Sequence, residues 1–409
     1  MWGCAALLVA LASGRALAQE VADPAASARF RIGPLRFTPG ISVTDLGLDT
    51  NVFNEVDNPK EDRTAALGPA VNFWLNLGRS RFSGKSNGQY LYFDKYANQR
   101  AWNTSNEAKW ELPLARMTPF IGGAYQNTKN RSGFEIDSRV RTTSQSVNLG
   151  TTVKLSGRST VKLSGTRSHV TFDDQASFLG SDLSSALDQA SNAEELQFRY
   201  RLTSLTTFVV MADGFQDRFE FDALRNANSI RIMPGFEMKP SALISGKANV
   251  GYRRFDPLAP TVPKYQGFVA AVDVKYVIRA TQIGFGARRD LSYSYQNAQP
   301  YYVLTDVGLS INERLTESWD VVVRGSQQAL DYVRALRVTL PGPDGAPLPA
   351  AAGQRDTIRQ YGGGIGYHLG RTLRLGVDAL YFRRRSSEGS LREYEGLRVG
   401  ASISFGITQ

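Results

Sequence analysis

The sequence predicts an all-β fold: a transmembrane antiparallel up-and-down β-barrel of about eighteen strands, with short periplasmic turns and longer extracellular loops. Three observations carry that prediction. Apolar and polar residues alternate with period two along most of the chain. Short and long connections alternate strictly from Leu35 to Phe405. Aromatic residues gather towards both ends of the strands.

The short connections read as Leu77–Ser80, Leu114–Thr118, Gly157–Ser159, Thr203–Leu205, Lys239–Ala242, Arg279–Thr281, Leu315–Ser318 and Gly370–Thr372. The longer ones fall near 49–64, 94–101, 129–140, 173–191, 219–227, 256–264, 295–300, 333–356 and 386–391. A soluble sandwich or propeller has no reason to keep its short turns at one end, whereas an outer-membrane barrel does. The 173–191 loop has room for one or two helical turns. Tyr90, Tyr92, Tyr252, Tyr293, Tyr301, Tyr381 and Tyr394 are expected in an outer aromatic girdle. Phe73, Phe82, Trp110, Trp319 and Phe405 are expected in an inner one. The last strand alternates Leu397, Val399, Ala401, Ile403 and Phe405, like the aromatic-ending assembly signal of such barrels.

Composition agrees. Of 409 residues, 42% are hydrophobic and 38 are glycine, and no apolar run long enough for a spanning helix follows residue 20. Residues 1–18 read as a signal peptide ending at Ala16-Leu17-Ala18, 19–34 as a short periplasmic segment, and 35–409 as the barrel. That leader lacks a basic residue before its apolar stretch. Cys4 is the only cysteine, so the mature chain would have none, as suits passage through an oxidising periplasm. The expected location is integral to the cell outer membrane, among its lipids. The net charge of +10 raises the question of nucleic acid, but export and the lack of a basic binding module argue against it. With so little chain before the barrel, no plug of the TonB-gated type is expected.

Residues 146–168, SVNLGTTVKLSGRSTVKLSGTRS, form the clearest hairpin. A turn centred on Arg158 would set Val153 opposite Leu163, Leu155 opposite Val161, and Lys154 opposite Lys162. Paired like charges on one face are unfavourable unless that face is wet. The lysines therefore point into an aqueous lumen.

The residues do not compose an enzyme. His169 has Ser168 on the opposite face, and nothing orders His368 with Ser402 and Ser404 into a triad. Two histidines offer almost no transition-metal ligands, and the Asp173-Asp174 and Asp213/Asp217 pairs read as solvated charge rather than a calcium site. YGGGIGYHLG, residues 361–370, keeps strand parity, so Gly362, Gly364 and Gly366 are expected to make room in the lumen or accommodate strand curvature rather than hold a phosphate. No cofactor is expected.

Inward positions are rich in base. They include Lys154, Lys162, Arg199, Arg201, Arg231, Lys275, Arg279, Arg288, Arg324, Arg374, Arg384 and Arg398, with Lys85, Lys247 and Arg253. Inward acids are fewer: Glu111, Glu195, Glu237, Asp273, Asp290, Asp306, Asp320 and Asp378. Two readings of this lumen stand open. Net positive potential would draw anions through; alternatively, acids on neighbouring strands would neutralise the bases in a ladder of ion pairs.

Residues 40–93 carry a Gly47-x-Asp49-x-Asn51-Val52-Phe53 element, then a polar loop and a Pro69-containing strand. This order resembles the putative β-barrel porin 2 family, often associated with exopolysaccharide operons. The resemblance implies an outer-membrane barrel that helps secreted polysaccharide cross the outer membrane. Joined to the basic lumen, it gives the expectation of a passive conduit for an anionic exopolysaccharide, with periplasmic export proteins among the candidate partners. The alternatives are a general or small-solute porin, and a structural or adhesion barrel acting through its external loops.

Overall fold

The computed structural model describes residues 25, 28–335, 353–370, 372–387 and 392–406. The expected signal peptide, half of the 19–34 segment, most of the 333–356 loop and Arg371 lie outside the described residues.

Eighteen strands form the wall. They are β1 (Leu35–Asp49), β2 (Asp62–Leu77), β3 (Ser80–Phe93), β4 (Ala101–Glu111), β5 (Met117–Arg131) and β6 (Arg139–Lys154). Next come β7 (Ser159–Phe172), β8 (Gln189–Arg201), β9 (Thr206–Phe219), β10 (Ala227–Met238), β11 (Ile244–Pro257) and β12 (Tyr265–Ile278). The last are β13 (Thr281–Tyr293), β14 (Tyr301–Arg314), β15 (Trp319–Val333), β16 (Arg355–Leu369), β17 (Leu373–Ser386) and β18 (Tyr394–Phe405). Each pairs antiparallel with its sequence neighbours, and β18 closes on β1 from Ile41–Phe405 to Asp49–Arg398. Closure leaves no strand edge facing lipid. A three-residue strand, Phe30–Ile32, folds back on Leu35–Phe37 before the wall begins.

Parity sorts the side chains as alternation requires. Val147, Leu149, Leu163, Leu196 and Phe198 are exposed on the outside. Tyr90 meets Trp102 at 5.5 Å near the long-loop end, and Phe82 meets Trp110 at 6.4 Å near the short-turn end. Three expected girdle residues lie elsewhere. Tyr394 falls on the opposite parity to Leu397 and its hydroxyl donates to Asp137 at 2.6 Å. Tyr293 and Tyr301 are drawn into the mouth, for a reason given below.

The hairpin register also differs from expectation. Lys162 pairs with Thr152, Lys154 with Thr160, and Val153 with Val161. The turn centres on Gly157 because Ser156 organises it. The Ser156 hydroxyl oxygen accepts from the amides of Arg158 (3.2 Å) and Ser159 (3.1 Å), while the Leu155 amide closes on the Ser159 carbonyl at 3.0 Å. Such hydroxyl-capped turns compete well with other local geometries. Thr203 and Thr316 build the same turn after Leu202 and Leu315.

The 173–188 connection holds one short helix, α1 (Leu183–Leu187). Asp182 caps it; the bond from the Ser185 hydroxyl at 2.6 Å, with those from the Ser185 and Ser184 amides, holds its carboxyl below the ordinary value.

Candidate functional site: the lumen and its mouth

Eighteen strands at about 4.8 Å spacing, tilted by about 40°, enclose a barrel roughly 35 Å across. Side chains on opposite walls cannot touch across that width. Two hairpins nevertheless meet there.

β5 pairs with β4 only as far as Asn127–Thr104, yet it stays paired with β6 to Arg131–Arg139. β13 leaves β12 at Arg289–Ala270 but keeps β14 to Tyr293–Tyr301. Both hairpin ends have thus peeled from one neighbour, and both turn inwards. Tyr293 stacks edge-on against Phe219 of β9 at 4.7 Å, and its hydroxyl donates to Asp217 at 2.7 Å. β9 is four strands away along the wall, out of reach for a strand that stayed in it. Tyr301, Tyr302, Val303 and Leu304 are 2%, 4%, 5% and 3% exposed. Consecutive strand residues point to opposite faces, so a buried run means both faces are covered. One face packs on Ala227, Phe255 and Val262, the other on Leu330, Tyr332 and Ile358. Phe134, from the β5–β6 connection, packs against that second cluster.

The tips join directly. The Ser294 hydroxyl donates to Glu135 Oε1 at 2.6 Å, and the Tyr295 amide contacts Oε2 at 3.3 Å. Arg384 and Arg392 donate to the Glu135 carbonyl at 3.2 and 3.1 Å, and Arg225 Nε donates to the Ser294 carbonyl at 2.7 Å. On the same loops a cavity of about 1200 Å³ is lined by Phe221, Asp222, Tyr295, Gln296, Asn297 and Arg392, among others.

The Gly-x-Asp-x-Asn-Val-Phe element anchors the first tip. Asn51 Nδ2 donates to the carbonyls of Glu55 (2.8 Å) and Glu395 (2.9 Å), fixing the first loop to the last strand. That fixes the Val52 carbonyl, which accepts from Arg131 at 2.7 Å and Arg139 at 3.0 Å, the two feet of the β5–β6 hairpin. Asp49 accepts from Arg398 at 2.9 Å.

The twelve candidate bases divide into two sets. Six are in ion pairs: Lys162 with Glu195 (2.7 Å), Arg199 with Glu237, Arg231 with Asp213 (2.9 Å) and Asp290 (2.8 Å), Arg374 with Asp320 (2.7 Å), Arg384 with Asp137 and Asp356, and Arg398 with Asp49. Arg384 is wholly buried within the mouth, not on an open channel surface. Arg201 donates to the Gly157 carbonyl. Lys154 and Lys275 project from inward positions and are exposed. Arg288 stands across from Asp306, and Arg324 across from Ser310 and Gly362. Arg279 is not in the lumen: it occupies the turn between β12 and β13 with φ at 51°. The lysine pair at one level of the pore is also absent, since the observed register separates Lys154 from Lys162.

The inward glycines of β16 make room, as parity implied. A Cβ on Gly364 would lie 2.2 Å from Asp378 Oδ1, and one on Gly366 would lie 2.4 Å from Arg374. Arg374 thereby lies flat on the wall, its Nε and Nη2 on Asp320 at 2.9 and 2.7 Å. His368 is bonded to that same Asp320, and His169 to Glu220 at 2.6 Å. Among the described residues there is no cluster of three metal-ligating side chains.

The contacts that shape the mouth join residues far apart in the chain, and sequence reasoning missed them. Glu135 and Tyr295 read there as ordinary loop residues, and Ser294 as the residue just before a loop.

No curated protein matches the chain. Among solved structures, the Pseudomonas aeruginosa protein OpdQ superposes with a TM-score of 0.47 at 9% identity, covering 91% of this chain and 97% of that one. OccK2 (OpdF) of the same organism gives 0.48 at 12% identity, covering 90% and 97%. Its siderophore receptor PirA gives 0.41 at 8% identity, covering 90% and 80%. The family described as putative beta-barrel porin 2 matches residues 23–406, and this outer-membrane β-barrel belongs to it.

Proposed function

We propose that the protein is a passive channel for small solutes, constricted at its outer mouth. The observation that carries this reading is the Glu135–Ser294 contact, which bridges the mouth from hairpins eight strands apart. An extended polysaccharide needs a continuous wide bore, and a bridged mouth favours small, compact solutes. The ion-paired wall supports the same reading, because each neutralised base adds little to the field a polyanion would feel. Lys154, Lys275, Arg288 and Arg324 remain as the bases through which a weak anion preference would act.

Liposome swelling tests this directly. Proteoliposomes should swell in monosaccharides and amino acids and stay intact in polymers of a few kilodaltons. Fast entry of an anionic polysaccharide, with small solutes passing no better, would return the protein to polymer export.

A further inference from the structure

Glu135 stands at the crown of the β5–β6 hairpin and is 2% exposed. Its carboxyl oxygens meet two neutral donors, the Ser294 hydroxyl and the Tyr295 amide. The nearby cations are engaged elsewhere. Arg384 (β17) pairs with Asp137 and Asp356, Arg392 (β17–β18 connection) pairs with Asp356 at 3.2 Å, and both reach only the Glu135 main chain. Arg225 (β9–β10 connection) is held by Asp222 and by the Ser294 carbonyl. The remaining titratable neighbours are the phenols of Tyr295, Tyr302 (β14) and Tyr332 (β15), with Asp137 on the same hairpin, bound to Arg384 and Tyr394, and Asp356 on β16. Burial disfavours a charged Glu135 more than the bonds from Ser294 and Tyr295 and the through-space pull of Arg392 and Arg384 favour it, while a neutral one keeps its Ser294 bond.

We propose that the two hairpin tips form a proton-operated gate, in which neutral Glu135 holds the tips together and its ionisation releases them. The proposal rests on the reading of the lumen as a solute channel. Burial pushes the Glu135 carboxyl up to about 7 when the tips are joined. Once they part, water solvates it and it returns towards its ordinary 4.5. The joined state binds the proton more tightly, so acid favours closure. That advantage is complete below the ordinary value and is lost as pH rises through about 7. Across that window the open-to-closed ratio rises on the order of a hundredfold.

The test places spin labels on cysteines at Ser132 and Ala298, one on each tip, in the full chain with Cys4 changed to serine. Tip-to-tip distances are measured from pH 4.5 to 8.5, alongside single-channel recordings. The short distance should dominate at acid pH and give way to a longer one above neutrality, with channel opening rising in step. Glu135→Gln, neutral at every pH, should keep the short distance and the constricted, low-conductance state throughout. Heat-modifiability on gels certifies that each variant is folded. A wild-type distance that ignores pH, or a Glu135→Gln variant that responds as the wild type does, overturns the gate. Current with no pH-dependent distance rejects the gate and keeps the channel; moving tips without current at any pH reject the channel and keep the gate.

Discussion

Asn51 and Glu395 stand 344 positions apart, yet the Asn51 amide donates to the Glu395 carbonyl at 2.9 Å and stitches the first loop to the last strand. The same side chain holds the loop that grips both feet of the β5–β6 hairpin through Val52. The family element around it is therefore an anchor for the mouth.

Asn51→Ala should loosen both ends of this anchor. It removes the hydrogen bonds at 2.8 and 2.9 Å and leaves two part-buried carbonyls without these donors. A loss of about 2–3 kcal/mol is expected, read as a lower urea midpoint in detergent. Current noise should also rise as the hairpin fluctuates. A variant with unchanged midpoint and unchanged noise would rule out the anchor.

Lys154 and Lys162, adjacent to the same turn, should now behave differently. Lys154→Glu changes an exposed charge and should shift bilayer ion selectivity towards cations with little effect on stability. Lys162 bonds Glu195 at 2.7 Å and is largely buried, so Lys162→Glu sets two acids against each other. It should lower stability by about 3 kcal/mol. Equal effects of the two changes on both readouts would contradict the observed register.

Val147 and Asn148 test the wall. Val147 faces outwards near mid-strand, so Val147→Arg should destabilise the barrel by about 2–4 kcal/mol in bilayers. Asn148→Arg, one residue on, points into the lumen and should change conductance instead. Unfolding titrations in lipid separate the two, and similar losses at both positions would argue against an apolar outer belt.

Topology follows from loop lengths. An epitope at Gly180, an exposed left-handed glycine with φ at 79°, should be reached by antibody on intact cells. One at Gly157 should be reached only after the outer membrane is opened. The reverse pattern would invert the barrel.

Period-two alternation was enough to read the wall, because which face a side chain takes is a local property of a pleated strand. Strand count and closure followed from the eight short turns at one end. Hairpin register was harder: the Ser156 hydroxyl moved the turn by one residue, and that short-range bond is visible only once Leu-Ser and Leu-Thr are seen to recur before the same turn. Parity puts bases such as Arg231 and Arg374 on one face of their strands, but parity says nothing about neighbours. Whether Arg374 is free or laid on Asp320 depends on Gly366, on a strand paired with it. The mouth lay furthest from view. Tyr293 and Tyr301 have the pattern of girdle residues, and only the peeling of β13 from β12 carries them inside. Glu135 meets Ser294 across 159 positions of chain, a distance over which no periodicity reaches. Sequence alone determined the barrel because its alternation and turns are local; tertiary structure decided the gate, because a closed wall brings remote loops to a shared centre.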